Sequence, residues 1–174
     1  MRKTFEETIV ALRELGLVFD DQSPSLPEAL PHYDDEDPCG FSVFRMGIED
    51  IDMSNLDMRR TFFSKSEISS CSFHGTDLEE SNLCWNDFIG VNFSSANLSK
   101  SDLRASIYEK VDFSECDLSG SDLRQAEFNS CNFNGSVMAG AKLTKGAGAT
   151  MPLSEKQRDE IDWQDTEGEE PGGG

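Results

Sequence analysis

The chain has 174 residues and a formal net charge of −19, from 15 Lys and Arg against 34 Asp and Glu. Such a balance repels bare nucleic acid and anionic membranes, so direct binding to either is disfavoured. No apolar run has the length of a secretory leader or membrane span, and five cysteines in no disulfide-like spacing fit a reducing cytoplasm.

Thr4-Phe5-Glu6-Glu7 has the pattern of a capping box and opens an expected helix. Phe5, Ile9, Leu12 and Leu15 fall on one of its faces, and Gly16 marks its stop. Residues 1–19 are therefore expected to form an amphipathic helix that covers the next segment or offers its face to a partner. Residues 20–40 follow as an acidic linker, with Pro24, Pro27, Pro31 and Pro38 and the run Asp34-Asp35-Glu36-Asp37.

From Ile48 to Leu143 every fifth residue is apolar or tyrosine, twenty positions without a slip. Neither a helix (period 3.6) nor an ordinary strand (period 2) gives this pattern, and a fixed internal period marks a stacked repeat. Two residues before each centre the chain usually places Ser, Thr, Cys or Ala, so both positions are expected to face inward. Asp or Asn usually stands between them, and the two residues after each centre are mostly Ser, Gly or charged; these three positions are expected to meet water. A second period lies inside the first. Phe73, Phe93, Phe113 and Phe133 recur at twenty, as do Leu83, Leu103, Leu123 and Leu143. Like residues stack in register when a coil has four five-residue sides, and about five coils lie within 41–148.

Units such as Ala96-Asn97-Leu98-Ser99-Lys100 and Cys116-Asp117-Leu118-Ser119-Gly120 resemble the pentapeptide-repeat family, whose motif is A(D/N)LXX. The resemblance implies an all-β fold, a right-handed quadrilateral β-helix. Departures stand at Asn86 in a small inward slot, at bulky Ile51 and Leu56, and at Phe62, Ile107, Val137 and Lys142 where Asp or Asn is usual.

Gly146 and Gly148 occupy core positions, so the coils are expected to stop there. Ser154 to Gln157 is a second capping-box pattern, for a short helix ending near Trp163. Residues 149–174 are thus a short helix and an acidic tail, with Asp165–Gly174 too polar to pack. By segment the charge is −6 for 1–45, −7 for 46–145 and −6 for 146–174, so most of it lies outside the coils.

Chemistry is sparse. The only histidines are His32 and His74, and the Cys71/His74 pair lacks a second pair of ligands and has Cys71 pointing inward. No histidine is set beside a serine with an orienting group. The aspartates before each centre suit turn stabilisation better than acid–base work. No enzyme activity, catalytic residue, metal site or cofactor is expected.

The outward residues sort onto four unlike sides. The side centred on Ile48, Ile68 and Phe88 carries Glu49, Asp50, Glu67, Asp87, Glu109 and Glu127 against Lys110, a net of −5. The side centred on Phe63 and Leu83 nets +3, with Arg104 and Arg124 prominent. Phe62, Cys84 and Trp85 stand on that basic side at outward positions, and Ile89 and Ile107 lie around the corner. Apolar residues with Trp and Arg nearby are the composition of a protein-binding hot spot. The expected contact is therefore Phe62, Trp85, Ile89, Arg104, Ile107 and Arg124, unless the N-terminal arm or the tail folds back over it.

The best-understood members of the family, the quinolone-resistance type, imitate B-DNA and bind DNA gyrase. Five coils at strand spacing span about 24 Å, and duplex DNA of that length carries about 14 negative charges. The coils here net only −7 and are basic on one side. The leading expectation is therefore a non-catalytic solenoid binding a protein partner, as monomer or homodimer. The alternative is a DNA mimic acting on a gyrase or topoisomerase through the acidic side. Immunity, effector and scaffold roles stay open beside them.

Overall fold

A computed structural model describes residues 1–32 and 40–171. The acidic run Asp34–Asp37, Pro38 and Cys39 lie outside the described residues. The first element is helix α1 (Phe5–Glu14), opened by the expected capping box: the Thr4 hydroxyl accepts from the Glu7 amide and the Glu7 carboxylate accepts from Thr4. Its buried residues are Thr8, Ile9 and Leu12. Leu15 departs from expectation and is exposed, because the helix ends at Glu14 and Leu15 becomes its C-cap.

Then the chain coils. Strands β1 (Ser42–Phe44), β2 (Gly47–Glu49), β3 (Phe62–Ser64), β4 (Glu67–Ser69), β5 (Asp87–Ile89), β6 (Ile107–Glu109) and β7 (Glu127–Asn129) pair in parallel, always with the residue twenty away. β2-β4-β5-β6-β7 form one five-stranded sheet. Single-residue bridges repeat the twenty-residue step on the other sides, as in Asp52↔Ser72 and Asn97↔Asp117. We number the sides by their centres: first (Met53), second (Met58), third (Phe63) and fourth (Ile48).

Each unit has one task per position. The residue two after each centre, every fifth from Arg45 to Gly140, turns the corner with a left-handed φ between 51 and 71°. Most are not glycine, so each carries a steric cost. It is offset by hydrogen bonds between coils at the corner amides, such as Asn55 N to His74 O at 2.8 Å and Ser95 N to Ser114 O at 2.9 Å. The Asp or Asn before a centre accepts from the amide two residues on, as in Asp52 from Ser54 at 3.0 Å and Asn97 from Ser99 at 3.0 Å. Among the described residues no such bond forms at Glu67, Asp87, Ile107 or Glu127, and there three successive residues stay extended. The fourth side is consequently a flat five-stranded sheet, while the first and second sides bend and the third is extended only near its two ends.

Inside, Phe73, Phe93, Phe113 and Phe133 stack at 5.0, 5.5 and 5.2 Å between ring centroids. Phe88, Tyr108 and Phe128 stack beside them at 5.1 and 5.0 Å, and the two columns meet edge to face. The small slots hold coils together: Ser101 Oγ donates to Leu78 O at 2.8 Å and accepts from Ser81 N at 3.0 Å. Asn86 fills its slot with an amide that donates to Phe63 O and Cys84 O and accepts from Ser66 N.

The coils number about six turns rather than five, beginning within the expected bounds and running further than expected at the C-terminal end. Val43 opens the third-side column below Phe63. After β8 (Lys142–Thr144), short helices α2 (Lys145–Gly148) and α3 (Glu155–Glu160) fill one turn, and β9 (Asp162–Gln164) returns to pair with β8. Gly146 and Gly148 therefore do not end the stack. Gly148 leaves room for the Trp163 ring, which a Cβ would meet at 2.6 Å. Helix α3 has its capping box at Ser154 and Gln157 but stops at Glu160, since the next residues must extend to meet β8.

Both open ends are partly satisfied by the helices and the residues leading into them. At the first coil Thr8 Oγ1 accepts from Asp57 N at 2.8 Å, and Lys3 N donates to Asn55 O at 2.8 Å. At the last, Gln157 Nε2 donates to Phe133 O at 2.6 Å and Ser136 O at 3.0 Å. Unpaired edge groups are templates for aggregation, and these helices cover them in part.

Candidate functional site

The third side follows from its Asp-X-Arg units. The corner holds each Arg beside the Asp two residues before it: Arg104 grips Asp102 at 2.8 and 2.7 Å, and Arg124 grips Asp122 at 2.9 and 2.7 Å. Arg104 also reaches Asp122 of the next coil at 3.6 Å, which links the two pairs. Burial pushes the Asp102 carboxyl up, but the hydrogen bonds and charge of Arg104 outweigh it and hold it below the usual carboxylate range. The hydrogen bonds that Arg104 donates to Asp102 raise the guanidinium above its ordinary value. The side is thus a ladder of paired charges rather than a row of free cations.

Chain folded back covers much of it. The expected exposure of Phe62, Cys84 and Trp85 is corrected: Phe62 is 8% exposed, Cys84 is fully buried and Trp85 is half-buried. The arm before the coils lies over this edge, fixed by Asn82 Nδ2 to Pro31 O at 2.9 Å and Arg60 Nη1 to Pro27 O at 2.6 Å. Burial pushes the Cys84 thiol far up, so it is no nucleophile at neutral pH. Higher on the same side the tail, expected to be unstructured, is laid down instead. Glu167 and Gly168 accept from Gln125, and Glu169 accepts from Arg104 Nη1 at 3.4 Å.

The fourth side is bare. Ile89 and Ile107 are 37% and 39% exposed, on diagonal positions of adjacent strands. Glu49, Asp50, Glu67, Asp87, Glu109 and Glu127 are all exposed around them, and among the described residues none makes an ion pair. Asp87 and Glu127 flank Ile107, while Glu109 pairs with Ile89. The six expected contact residues therefore split. Ile89 and Ile107 share one open sheet, whereas Phe62, Trp85, Arg104 and Arg124 lie around the corner, packed or paired.

Sequence reasoning missed Phe44 and Met46, both exposed on the first coil. The signal for Phe44 was present, since it occupies an outward position once the beat is extended back to Val43, whereas Met46 stands two before Ile48, in a slot the beat assigns to the interior. Val137 is exposed too, at a position where Asp or Asn is usual. Among the described residues no group of three or more His, Cys, Asp or Glu is placed to hold a metal. No helix among them is long and apolar enough to cross a membrane.

A family model for pentapeptide repeats matches in eight copies, over residues 49–84, 66–104 and 110–145. The chain belongs to the pentapeptide repeat family. This pentapeptide repeat protein is similar to one from the thylakoid lumen of Arabidopsis thaliana, at 24% identity over 67% of this chain and 74% of that one, with a TM-score of 0.45. It is also similar to HetL of Nostoc sp. strain PCC 7120, involved in heterocyst differentiation regulation, at 20% identity over 60% of this chain and 47% of that one (TM-score 0.32). A third likeness is to QnrB1, a plasmid-mediated fluoroquinolone resistance protein, at 19% identity over 59% of this chain and 55% of that one (TM-score 0.33). No curated protein sequence gives a significant match.

Proposed function

We propose that this pentapeptide repeat protein acts without catalysis, by docking a partner protein on its fourth side through Ile89, Ile107 and the surrounding carboxylates. The observation that carries this is the open five-stranded sheet, with two exposed isoleucines inside a field of unpaired acids. A flat surface of that kind suits a partner with an apolar centre and a Lys or Arg rim. The arm and tail bond to the third side, and among the described residues no segment outside the repeats bonds to the outward side chains of the five-stranded sheet. The four described cysteines are free and buried, which favours a reducing, cytoplasmic setting. Affinity capture with mass spectrometry should recover a partner with wild type and lose it with Ile89→Glu combined with Ile107→Glu. Unchanged capture by the double variant would reject this surface.

A second reading rests on the file Glu67, Asp87 and Glu127, carboxylates placed along successive coils at about 4.8 Å per strand. Such a file could imitate part of a DNA strand toward a topoisomerase. Ile107 interrupts it between Asp87 and Glu127, which favours the protein-docking reading. DNA mimicry predicts salt-sensitive inhibition of supercoiling, weakened by Glu67→Lys with Asp87→Lys. No inhibition at micromolar protein would remove the gyrase form of the idea.

A further inference from the structure

On the lower coils, third-side corner amides donate to the carbonyl of the next coil: Arg45 to Ser64 at 3.1 Å, Lys65 to Trp85 at 2.7 Å and Trp85 to Arg104 at 3.4 Å. Among the described residues no such bond forms at the next corner, Ala105, and at Gln125 a different one takes its place. Past Thr144 the chain turns away into α2, and the Gln125 amide donates instead to the Glu167 carboxylate at 2.7 Å. The other Glu167 oxygen bonds the Thr144 hydroxyl. The Gln125 side chain donates to Glu167 O at 3.2 Å and Gly168 O at 2.9 Å. Residue 168 has φ +73°, and a Cβ there would meet Arg124 Nη1 at 2.7 Å. From Gln164 to Glu170 the segment has no apolar side chain, and the one buried apolar anchor beyond it is Pro171, so around the notch it is held by hydrogen bonds that salt and water can compete for.

We infer that the notch formed by Gln125 and Thr144, flanked by Arg104 and Arg124, is a docking site for an extended acidic segment of a partner, and that the chain's own tail occupies it in cis. The segment it fits carries Glu at the Glu167 place, where one carboxylate bridges a backbone amide and a hydroxyl. It has Gly next, because the Arg124 guanidinium crowds that position. The tail acts as a strap, and an incoming segment has to displace it. Apparent affinity is therefore reduced by the fraction of molecules with the notch filled. This site is independent of the sheet proposed above.

The test uses the full chain and a labelled peptide with the sequence of Asp165–Pro171, followed by fluorescence anisotropy. Glu167→Lys ejects the tail by placing a cation beside Arg104 and Arg124, and leaves the notch residues intact. This variant should bind the peptide at least about tenfold more tightly than wild type, and Gln in place of the peptide's bridging Glu should undo the gain. Equal binding by variant and wild type, or none by either, overturns the proposal. Should Glu167→Lys fold poorly, the milder Glu167→Gln serves with amide exchange as readout. Exchange at Gln125 should speed up at least about tenfold while that at Asn82 in the arm-covered coil is unchanged. An unchanged Gln125 rate also overturns it, as would a wild-type dimer that Glu167→Gln dissolves, since the tail would then serve a second copy.

Discussion

The third and fourth sides are built from the same five-residue unit on the same core, yet one is overlaid by arm and tail and the other is bare. On the third side, Asp at 102 and 122 bends the chain and pins an Arg; the resulting ladder meets the tail at Arg104, and the arm lies below it at Asn82. On the fourth, no turn bond forms at Glu67, Asp87, Ile107 or Glu127, so the strands stay flat and their acids stay unpaired. The interior does not distinguish the sides. What distinguishes them is whether the turn bond forms, which the residue before the centre does not fix alone since Asp87 forms none, together with the chain outside the repeats.

The most severe break is to the shared interior. Phe113 stacks between Phe93 and Phe133 on the first side and meets Tyr108 of the fourth at 5.4 Å. Phe113→Ala should cost about 3–5 kcal/mol, read from the urea midpoint, because rigid neighbours above and below cannot collapse into the hole. A cost below about 1 kcal/mol would mean that the coils are not packed as a continuous stack.

Asn86 sits at the corner between the two sides, its amide bonding Ser66, Phe63 and Cys84. Asn86→Ala strands these buried groups and should cost about 2–3 kcal/mol. Asn86→Ser restores the usual slot residue, whose hydroxyl can remake part of the set, so it should lie between Ala and wild type. Ala and Ser behaving alike would show that the amide is filler and the corner is held by packing alone.

A smaller effect separates the sides by pH. Asp102 is held low in the folded chain, so it contributes stability above the unfolded carboxylate value, about 3.9. That contribution is lost as pH falls from there toward its lower folded value. Arg104→Met should cost about 1–3 kcal/mol at pH 7 by leaving a mostly buried carboxylate unpaired. The gap between variant and wild type should close as pH drops below 4. A gap that is independent of pH would assign the loss to packing of the Arg stem instead.

The beat at every fifth residue, the column sorting at every twentieth and both capping boxes were legible because each reflects a local, repeated constraint. The stacked aromatic columns followed directly. Coil number was underread because Val43 stands alone before the regular units, and because Trp163 returns to register only after two helices. The candidate site was less legible for one physical reason. The repeat tells which residues point outward, but the arm that lies over the edge of Phe62, Cys84 and Trp85 comes from about thirty to fifty residues away, as in the Arg60 to Pro27 and Asn82 to Pro31 bonds. Segments without periodicity carry no coordinate that would place them. The Glu167 strap was invisible for the same cause, its signal being one carboxylate among many in an acidic tail.

The least perturbing test of the contrast is on stability itself. Ile89 and Ile107 are 37% and 39% exposed and surrounded by water-facing acids, and Glu keeps the stem carbons that lie on the sheet, so replacing both gives up little of the buried contact. The strands beneath keep their ladder bonds and the rings of Phe88 and Tyr108 stay stacked at 5.1 Å. The double variant should therefore stay within about 0.5 kcal/mol of wild type, with added repulsion from Asp87, Glu109 and Glu127 as the main cost. That cost should shrink in high salt, since these charges are solvent-exposed. A larger loss that salt does not relieve would mean that the two side chains are packed in solution. The fourth side would then be a covered surface like the third, and the proposed docking sheet would have to be sought elsewhere on the rod.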